Sequence, residues 1–276
     1  MSQSPTIAIK ISERPATVPK GTTLHALRAE HKPGADVVVL NGAPMPEDCI
    51  LQEGDEVVFI RRGEIPGREE LEALMASRHT PGVHAVIKRA VVGIAGVGGL
   101  GSAIAIALAR IGIGKLIVAD FDVVEPSNLN RQQYFIDQLG QPKVAALLEN
   151  LSRINPYVEV ETHHVRLDRE NIPKIFGAVD VMVEAFDRAD QKALLVEAFC
   201  RAFPAKSIVV ATGLAGHMPS NTITTRKVGK QMVVVGDLVT AAQPGTGLMA
   251  PRVGVAAHHQ ANAVLRLLLG EDPEGC

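Results

Sequence analysis

The sequence predicts an α/β molecule: a doubly wound, mainly parallel sheet, preceded by a small unit in the order ββαββ. Three observations carry this. From residue 89 onward, short apolar runs alternate with amphipathic helical stretches, a pattern that implies parallel strands covered on both faces. A glycine-rich turn lies between the first of those runs and the first of those helices. Residues 1–63 have a different texture, with short alternating runs and closely spaced turn signals.

Within residues 1–63, Thr6–Ile11 alternates apolar with polar and is predicted as a strand, followed by Ala16–Val18 as a second. Thr22–Arg28 follows Gly21 and starts with two hydroxyl residues suited to cap a helix. Val37–Leu40 is a buried strand closed by Asn41-Gly42, a hairpin signal. Gly54-Asp55 turns the chain into a last strand that ends at Ile60. Two strands, a helix and two strands in so short a span form a β-grasp, ubiquitin-like pattern. Residues 64–88 read as a connector. Arg68–Met75 carries an apolar stripe and is predicted helical, and Arg78-His79-Thr80-Pro81-Gly82 ends it.

Residues 89–276 hold the larger domain. Ala90–Ala95 is predicted as a strand, Gly96-Val97-Gly98-Gly99-Leu100-Gly101 as a turn and Ser102–Leu108 as a buried helix. That setting gives a glycine motif its meaning. Backbone without Cβ atoms can approach a phosphate closely, and free N–H groups at the helix start face the anion. The next strand, Lys115–Ala119, ends at Asp120, about twenty residues on, where a Rossmann-like βαβ unit places a carboxylate on a ribose. Gly96, Gly98, Gly99, Gly101, Asp120 and Asp122 are therefore the candidate nucleotide-binding residues. Helices over Lys143–Ile154, Asp168–Phe176 and Gln191–Ala202 alternate with strands over Val158–Thr162, Val179–Glu184 and Ser207–Thr212. Thr222–Thr225 and Gln231–Val235 are expected as later, antiparallel strands, and Val253–Leu269 as a closing helix. Gly213–Ser220 and Leu238–Leu248, rich in small residues, are the expected mobile segments.

Composition narrows the function classes. A length of 276 residues suits one or two domains. With 3% aromatics and no Trp, the core must be aliphatic. A net charge of −2 gives no footprint for nucleic acid. Met1–Lys20 lacks the apolar stretch of a signal peptide. The charge-free run between Arg89 and Arg110 is long enough to suggest a membrane span. Its central glycines would weaken a helix there, so a buried strand running into a buried helix is expected, and no membrane. Cys49, Cys200 and Cys276 are far apart and form no Cys-x-x-Cys pair, so no zinc site is expected and a reducing, cytoplasmic setting is. Cys200 reads as a buried small hydrophobe, and the adjacent His258 and His259 as structural.

Asp120 opens a cluster of charged and amide residues: Asp122, Asn128, Arg131 and, at a helix start, Lys143. Hydride transfer has no evident need for them, although an NAD-dependent oxidoreductase stays an alternative. A reaction at a phosphate does need such groups, because Arg and Lys neutralise developing charge on its oxygens. Here the chain resembles the ThiF/MoeB adenylyltransferases, relatives of the ubiquitin-activating enzymes. The resemblance runs through Gly-x-Gly-Gly-Leu-Gly, Asp-x-Asp, Ser-Asn-Leu-x-Arg-Gln, Gly-Gln-x-Lys, Asp187 and Ala250-Pro251-x-Val253-Gly254. Pro19-x-Gly21-Thr22-Thr23-Leu24, Leu40-Asn41-Gly42 and Gly54-Asp55-Glu56-Val57 resemble the ThiS-like sulfur carriers.

The first resemblance implies ATP-dependent adenylation of the C-terminal carboxylate of a small sulfur carrier ending in Gly-Gly, in thiamine thiazole synthesis. A MoaD-like carrier or a tRNA-linked small molecule is the alternative substrate. It further implies that Asp120 meets the ribose, that Asn128, Arg131 and Lys143 face the phosphates, and that Asp187 binds Mg²⁺. A homodimer is implied in which Arg78 reaches the partner's site. Two departures stand out: the family's Cys₄ zinc site is missing from the sequence, and Arg188 and Lys192 replace an Asn and an Arg after Asp187.

Overall fold

The computed structural model describes residues 5–275, so Cys276 lies outside the described residues. The chain divides into two compact units at Pro81 and Gly82.

The first unit contains β1 (Thr6–Ile11), β2 (Arg14–Pro19), α1 (Leu24–His31), β3 (Val37–Leu40), β4 (Ala43–Pro44), β5 (Glu56–Ile60) and α2 (Arg68–Ala76). Its sheet has the order β2-β1-β5-β3-β4, with β1 and β5 parallel and the other pairs antiparallel. The Thr23 hydroxyl caps α1 by accepting the Ala26 N–H at 3.2 Å. Asn41 and Gly42 both have positive φ, as a tight hairpin turn requires. Leu24, Leu27, Leu51, Val57 and Phe59 form its buried core. Helix α2 belongs to this unit: Glu69 lies 3.6 Å from Arg14, and Glu70 lies 3.9 Å from Lys32. The stretch read as a connector is thus shared between the two units.

The second unit runs through α3 (Val83–Ile87), β6 (Val91–Ala95), α4 (Gly99–Arg110), β7 (Lys115–Asp120), α5 (Lys143–Ile154), β8 (Glu159–His164) and α6 (Asn171–Ile175). It continues through β9 (Val181–Glu184), α7 (Ala189–Ala202), β10 (Ser207–Ala211), β11 (Thr224–Val228), β12 (Met232–Gly236) and α8 (Ala250–Leu268). The sheet order is β11-β12-β10-β9-β6-β7-β8. Only β11 is antiparallel, because β12 pairs in parallel with β10. This corrects the expectation of two antiparallel strands. Val233–Val235 is a fully apolar run that suits an interior position, and the chain reaches it from the exposed edge strand β11 through Gly229 at φ +66°.

Mainly aliphatic side chains fill both faces, with α4, α5 and α8 on one and α6 and α7 on the other; Phe176 and Phe199 are fully buried in the second, which corrects the expectation of a wholly aliphatic core. The charge-free stretch is β6 followed by α4, and Ile94, Ile104 and Leu108 are almost wholly buried. No helix among the described residues is long and apolar enough to cross a membrane. Helix α8 buries Val253, Ala256, Ala257, Ala261 and Val264 against α4 and strands β9 to β12. The chain therefore covers the apolar helix itself, and that helix supplies no argument for a dimer.

Candidate functional site

Strand β6 sits between β7, reached through α4, and β9, reached from the other direction, so the winding reverses between β6 and β9. Ligands of open parallel sheets bind beyond the strand ends at such a point. A cavity of about 590 Å³ opens there, lined by the glycine turn, the ends of β7, β9 and β10, and the loop after β12.

The glycine turn is held tightly on its inner side. Gly96 has φ +84°, and a Cβ there would lie 3.0 Å from the Ala185 carbonyl oxygen. A Cβ on Gly101 would collide with the Gly96 carbonyl. Gly98 is different, since the nearest atom to a Cβ there is Gln132 Nε2 at 3.7 Å. Gly98 and Gly99 line the cavity, and no side chain caps the start of α4 at Gly98. This is an open helix N-terminus of the kind that accepts an anion.

Two hydroxyls fix the loop's carbonyls. Ser102 Oγ donates to the Gly98 carbonyl at 2.6 Å, and Tyr134 Oη donates to that of Val97 at 2.7 Å. Burial pushes the Tyr134 hydroxyl far up, so it stays a donor. Neither residue was singled out from sequence, where both pass as core residues.

Asp120 ends β7 at the cavity, 9% exposed. One of its oxygens accepts the Val97 N–H at 2.8 Å and the other the Asp122 N–H at 2.9 Å. Burial pushes its carboxyl up, opposed by those N–H groups and by Lys143. Asp120 therefore braces the glycine loop, a task the sequence reading did not foresee. Lys143 heads α5, 5% exposed, and its ammonium lies 2.8 Å from Asp122 Oδ2. Both line the cavity. The backbone N–H of Lys143 also bonds the Asp122 carbonyl at 2.9 Å.

Arg131 lines the cavity with its stem over Gly99, its Cγ 3.3 Å from where a Cβ would stand. Its guanidinium donates to Asn130 Oδ1 at 2.7 Å and to the Ser127 carbonyl at 3.3 Å. Asn128 needs correction. Expected at the phosphates, it is buried and does not line the cavity. Its Oδ1 accepts the Glu125 N–H at 3.0 Å, and its carbonyl accepts the N–H groups of Arg131 and Gln132 at 3.1 and 2.9 Å. It caps the short 3₁₀ turn Pro126–Asn128, a competing use of Asn at helix starts.

Beyond β9, Asp187 is an exposed carboxylate in the cavity wall and accepts no hydrogen bond among the described residues. Three residues earlier, the wholly buried Glu184 holds Lys192 Nζ at 2.9 and 3.0 Å and accepts the Phe186 N–H at 2.7 Å. Lys192 also donates to the Ala211 carbonyl at 3.0 Å. The departure at Lys192 is thus the partly exposed half of an ion pair whose carboxylate is buried, and Lys192 itself lines the cavity. Arg188 turns instead to Asp190 at 2.9 Å. Sequence reasoning missed Glu184, whose only signal was an acid at the end of an apolar strand.

The loops expected to be mobile are tied by Arg252, 5% exposed at the start of α8. It donates to Asp237 at 2.6 Å, to the Met218 and Pro219 carbonyls at 2.8 and 3.1 Å, and to Thr222 Oγ1 at 3.0 Å. Arg78 belongs to the first unit, where its guanidinium lies 3.7 Å from Glu13. Burial pushes the Cys200 thiol up, which makes it a poor nucleophile.

Comparison with known proteins finds two families along the chain. Residues 7–63 match the ThiS-like ubiquitin family. Ubiquitin-like modifier-activating enzyme 5 of Drosophila melanogaster is 52% identical over 94 residues, 34% of this chain and 23% of that protein. The sulfur carrier protein adenylyltransferase of Thermus thermophilus is 38% identical over 113 residues, 41% of this chain and 42% of that protein. The chain thus spans less than half the length of these curated relatives. Among solved structures, the tRNA N6-threonylcarbamoyladenosine dehydratase of E. coli, in complex with AMP, aligns with a TM-score of 0.64 and 22% identity. It covers 71% of this chain and 93% of that one, a likeness of fold. The ThiF family model matches residues 73–275, which take in the whole cavity, and the chain belongs to the ThiF family.

Proposed function

We propose that the cavity binds ATP and that the chain transfers AMP to the C-terminal carboxylate of a small ubiquitin-like sulfur carrier ending in Gly-Gly. The observation that carries this reading is the combination of an uncapped helix start at Gly98 with Arg131 and Lys143 on the rim of one cavity. The family match and the names of the relatives support the same chemistry. The carrier's carboxylate attacks the α-phosphorus, one P–O bond forms, the bond to the β-phosphate breaks and pyrophosphate leaves. No enzyme nucleophile is needed. The chain's task is to align the groups and to neutralise charge. The α4 N–H groups and Lys143 meet the phosphates, Arg131 meets the charge that develops on the leaving group, and Asp120 keeps the loop in shape.

Among the described residues no three metal-ligating side chains cluster. Asp187, a single carboxylate free of protein hydrogen bonds, fits Mg²⁺, which takes one or two carboxylates and completes its shell with phosphates and water. When bound, the ion would supply further neutralisation of the triphosphate. The finer reading is a ThiS-like carrier serving thiamine thiazole synthesis, supported by the ThiS-like unit in the same chain. A homodimer belongs to this reading, with Arg78 acting on the partner's site. Its support is the exposed apolar surface of Phe135 and Ile136, not α8.

ATP–pyrophosphate exchange with and without a Gly-Gly carrier is the test. Exchange that requires the carrier is expected; no exchange with any such carrier sinks the reading. Asp187→Asn is expected to abolish turnover while ATP still binds. Equal loss of both in a folded variant would overturn the metal assignment. A monomer in sedimentation at micromolar concentration would remove the dimer and Arg78 with it.

A further inference from the structure

The cavity has two unlike sides. Asp120, Asp122, Arg131 and Lys143 line it with the glycine turn, and Asp187 follows β9. The loops after β10 and β12 add only uncharged, mostly small residues, among them Thr212, Gly213, Ala215, Thr240 and Ala241. Main-chain bonds make these two loops one wall. The Asp237 N–H bonds the Gly213 carbonyl at 2.8 Å, the Ala215 N–H that of Thr240 at 3.3 Å, and the Gly216 N–H that of Gly247 at 2.8 Å. The fit is close: a Cβ on Gly213 would collide with Asp237 Oδ1, and one on Gly236 with the Thr212 carbonyl.

Behind this wall lies the ion pair of Arg252 and Asp237, whose side chains are 4% and 9% exposed; neither lines the cavity. Arg252 joins Asp237 to Thr222 and to the Met218 and Pro219 carbonyls. Asp237 also accepts the N–H groups of Val239 and Thr240, both at 2.8 Å, and the Thr240 hydroxyl at 2.7 Å. A buried ion pair adds little net stability over apolar groups of similar volume; what it can supply is one fixed arrangement. Here that arrangement is the wall. The far end of the second loop is anchored separately, because the Leu248 carbonyl accepts Asn130 Nδ2 at 3.0 Å and Asn130 Oδ1 holds Arg131. Loss of the pair would thus loosen the wall and leave Arg131 in place.

We propose that Arg252 and Asp237 are positioning residues for the second substrate: they hold the uncharged wall in the shape that receives the Gly-Gly end of the carrier. This role rests on the reading of the cavity as the site that adenylates such a carrier. Two glycines offer only backbone to recognise and many conformers to lose, so a fixed wall is needed to align their carboxylate with the α-phosphorus. The nucleotide side has its own supports and does not depend on the pair.

The experiment compares the full chain with three variants, using a separately expressed ThiS-like protein ending in Gly-Gly as acceptor. Arg252→Lys keeps a charge for Asp237 but loses the planar fork that spans the other contacts. Thr222→Val removes one of those contacts and is the milder change. Gln231→Leu is the control: it removes side-chain bonds to the Phe203 and Lys206 carbonyls at the opposite end of β12. Each is measured for ATP affinity by calorimetry, for ATP–pyrophosphate exchange against carrier concentration, and for thermal unfolding. Arg252→Lys is expected to bind ATP like the wild type while kcat/KM for the carrier falls about 10²-fold, the scale of a misplacement caused far from the chemistry. Thr222→Val is expected to lose about 10-fold, the scale of one hydrogen bond to a charged group. Gln231→Leu is expected to keep both parameters. Wild-type kcat/KM for the carrier in either wall variant overturns the assignment. So does a matching loss of ATP affinity, or an equal loss in Gln231→Leu, since either would reduce the pair to a prop of the fold. A wild-type chain that shows no exchange with the carrier sinks the adenylation reading and this role with it, an outcome distinct from unchanged variants of an active chain.

Discussion

Among single residues, the charges of the cavity divide into those that hold the protein and those left over for a ligand. On the proposed reading Arg131 and Lys143 belong to the second kind, even though each has a protein partner. Asp122, the partner of Lys143, is half-exposed and can be rehydrated when the ammonium is removed. Lys143→Met keeps the buried stem and removes the charge. It is expected to stay folded near the wild-type melting temperature and to lose about 10²-fold or more in adenylation, as is Arg131→Ala. Wild-type exchange in either variant would show that the residue meets no phosphate.

Glu184 and Lys192 are of the first kind. The carboxylate is wholly buried, and burial already pushes it up while Lys192 holds it down. Lys192→Met leaves that charge unpaired, at a cost of about 3–5 kcal/mol. The sign with pH follows. A carboxyl whose folded pKa lies above its unfolded value binds its proton more tightly in the folded state, so the folded state gains as pH falls through that pKa. The variant's stability deficit should therefore be largest at neutral pH and shrink on acidification. Urea melts across pH provide the check, and a deficit independent of pH would show that Glu184 is not the group left unpaired. Two positions show how unevenly residue roles are legible in sequence. Lys143 could be proposed for the site only through the resemblance, because a lysine near a helix start otherwise reads as a solvated surface residue. The same route misplaces Asn128, because an Asn that caps a turn and one that meets a phosphate are spelled alike.

The elements follow from periodicity and turn chemistry. Lys143–Ile154 is helical over the range the apolar spacing predicts, because its stripe is regular and Pro142 precedes its first turn. Strand direction is harder. Val233–Val235 shows that β12 is buried, but only its pairing with β10 makes it parallel, and that pairing is a tertiary choice. The loops after β10 and β12 show the same limit. Small residues and Pro suggested mobility, yet Arg252, Asp237 and Thr222 bind them into one knot that no local window reveals.

Burial alone would raise the Asp237 carboxyl; hydrogen bonds from Thr240, Val239 and Arg252 outweigh it and hold the group below the usual carboxylate range. A lowered carboxyl pKa contributes stability above its unfolded value and loses it as pH falls through the folded one. Asp237→Asn at neutral pH, or wild type acidified well below the ordinary carboxylate value of about 4, should thus expose amides of residues 213–222 and 237–248 to hydrogen exchange. The sheet should stay protected. Unchanged loop protection in Asp237→Asn would show that the knot does not depend on this charge.

On the scale of the whole molecule, a ThiS-like unit and a ThiF-family unit share one chain, which raises the question of whether, on the proposed function, the chain acts on itself. A carrier must offer a free C-terminal carboxylate on a flexible tail. Here the residues after β5 run Arg61-Arg62-Gly63-Glu64 and continue into α2, so the carboxylate at Gly63 is bound in a peptide. That segment is also engaged: Lys32 lies 3.4 Å from Glu64 and 3.9 Å from Glu70, and Ser12 Oγ reaches Glu70 at 3.5 Å. The first unit has its own core, and we propose that it is a docking or shielding element, or a remnant of a gene fusion, rather than an acceptor of AMP. Incubated with ATP and a separate Gly-Gly carrier, the full chain is expected to place AMP on the carrier and none on itself. A chain beginning at Gly82, which keeps both core layers and the entire cavity, is expected to do the same. Intact-mass spectrometry reads both results directly. AMP or a thiocarboxylate on a released fragment ending near Gly63 would show instead that the chain carries its own substrate and frees it by cleavage.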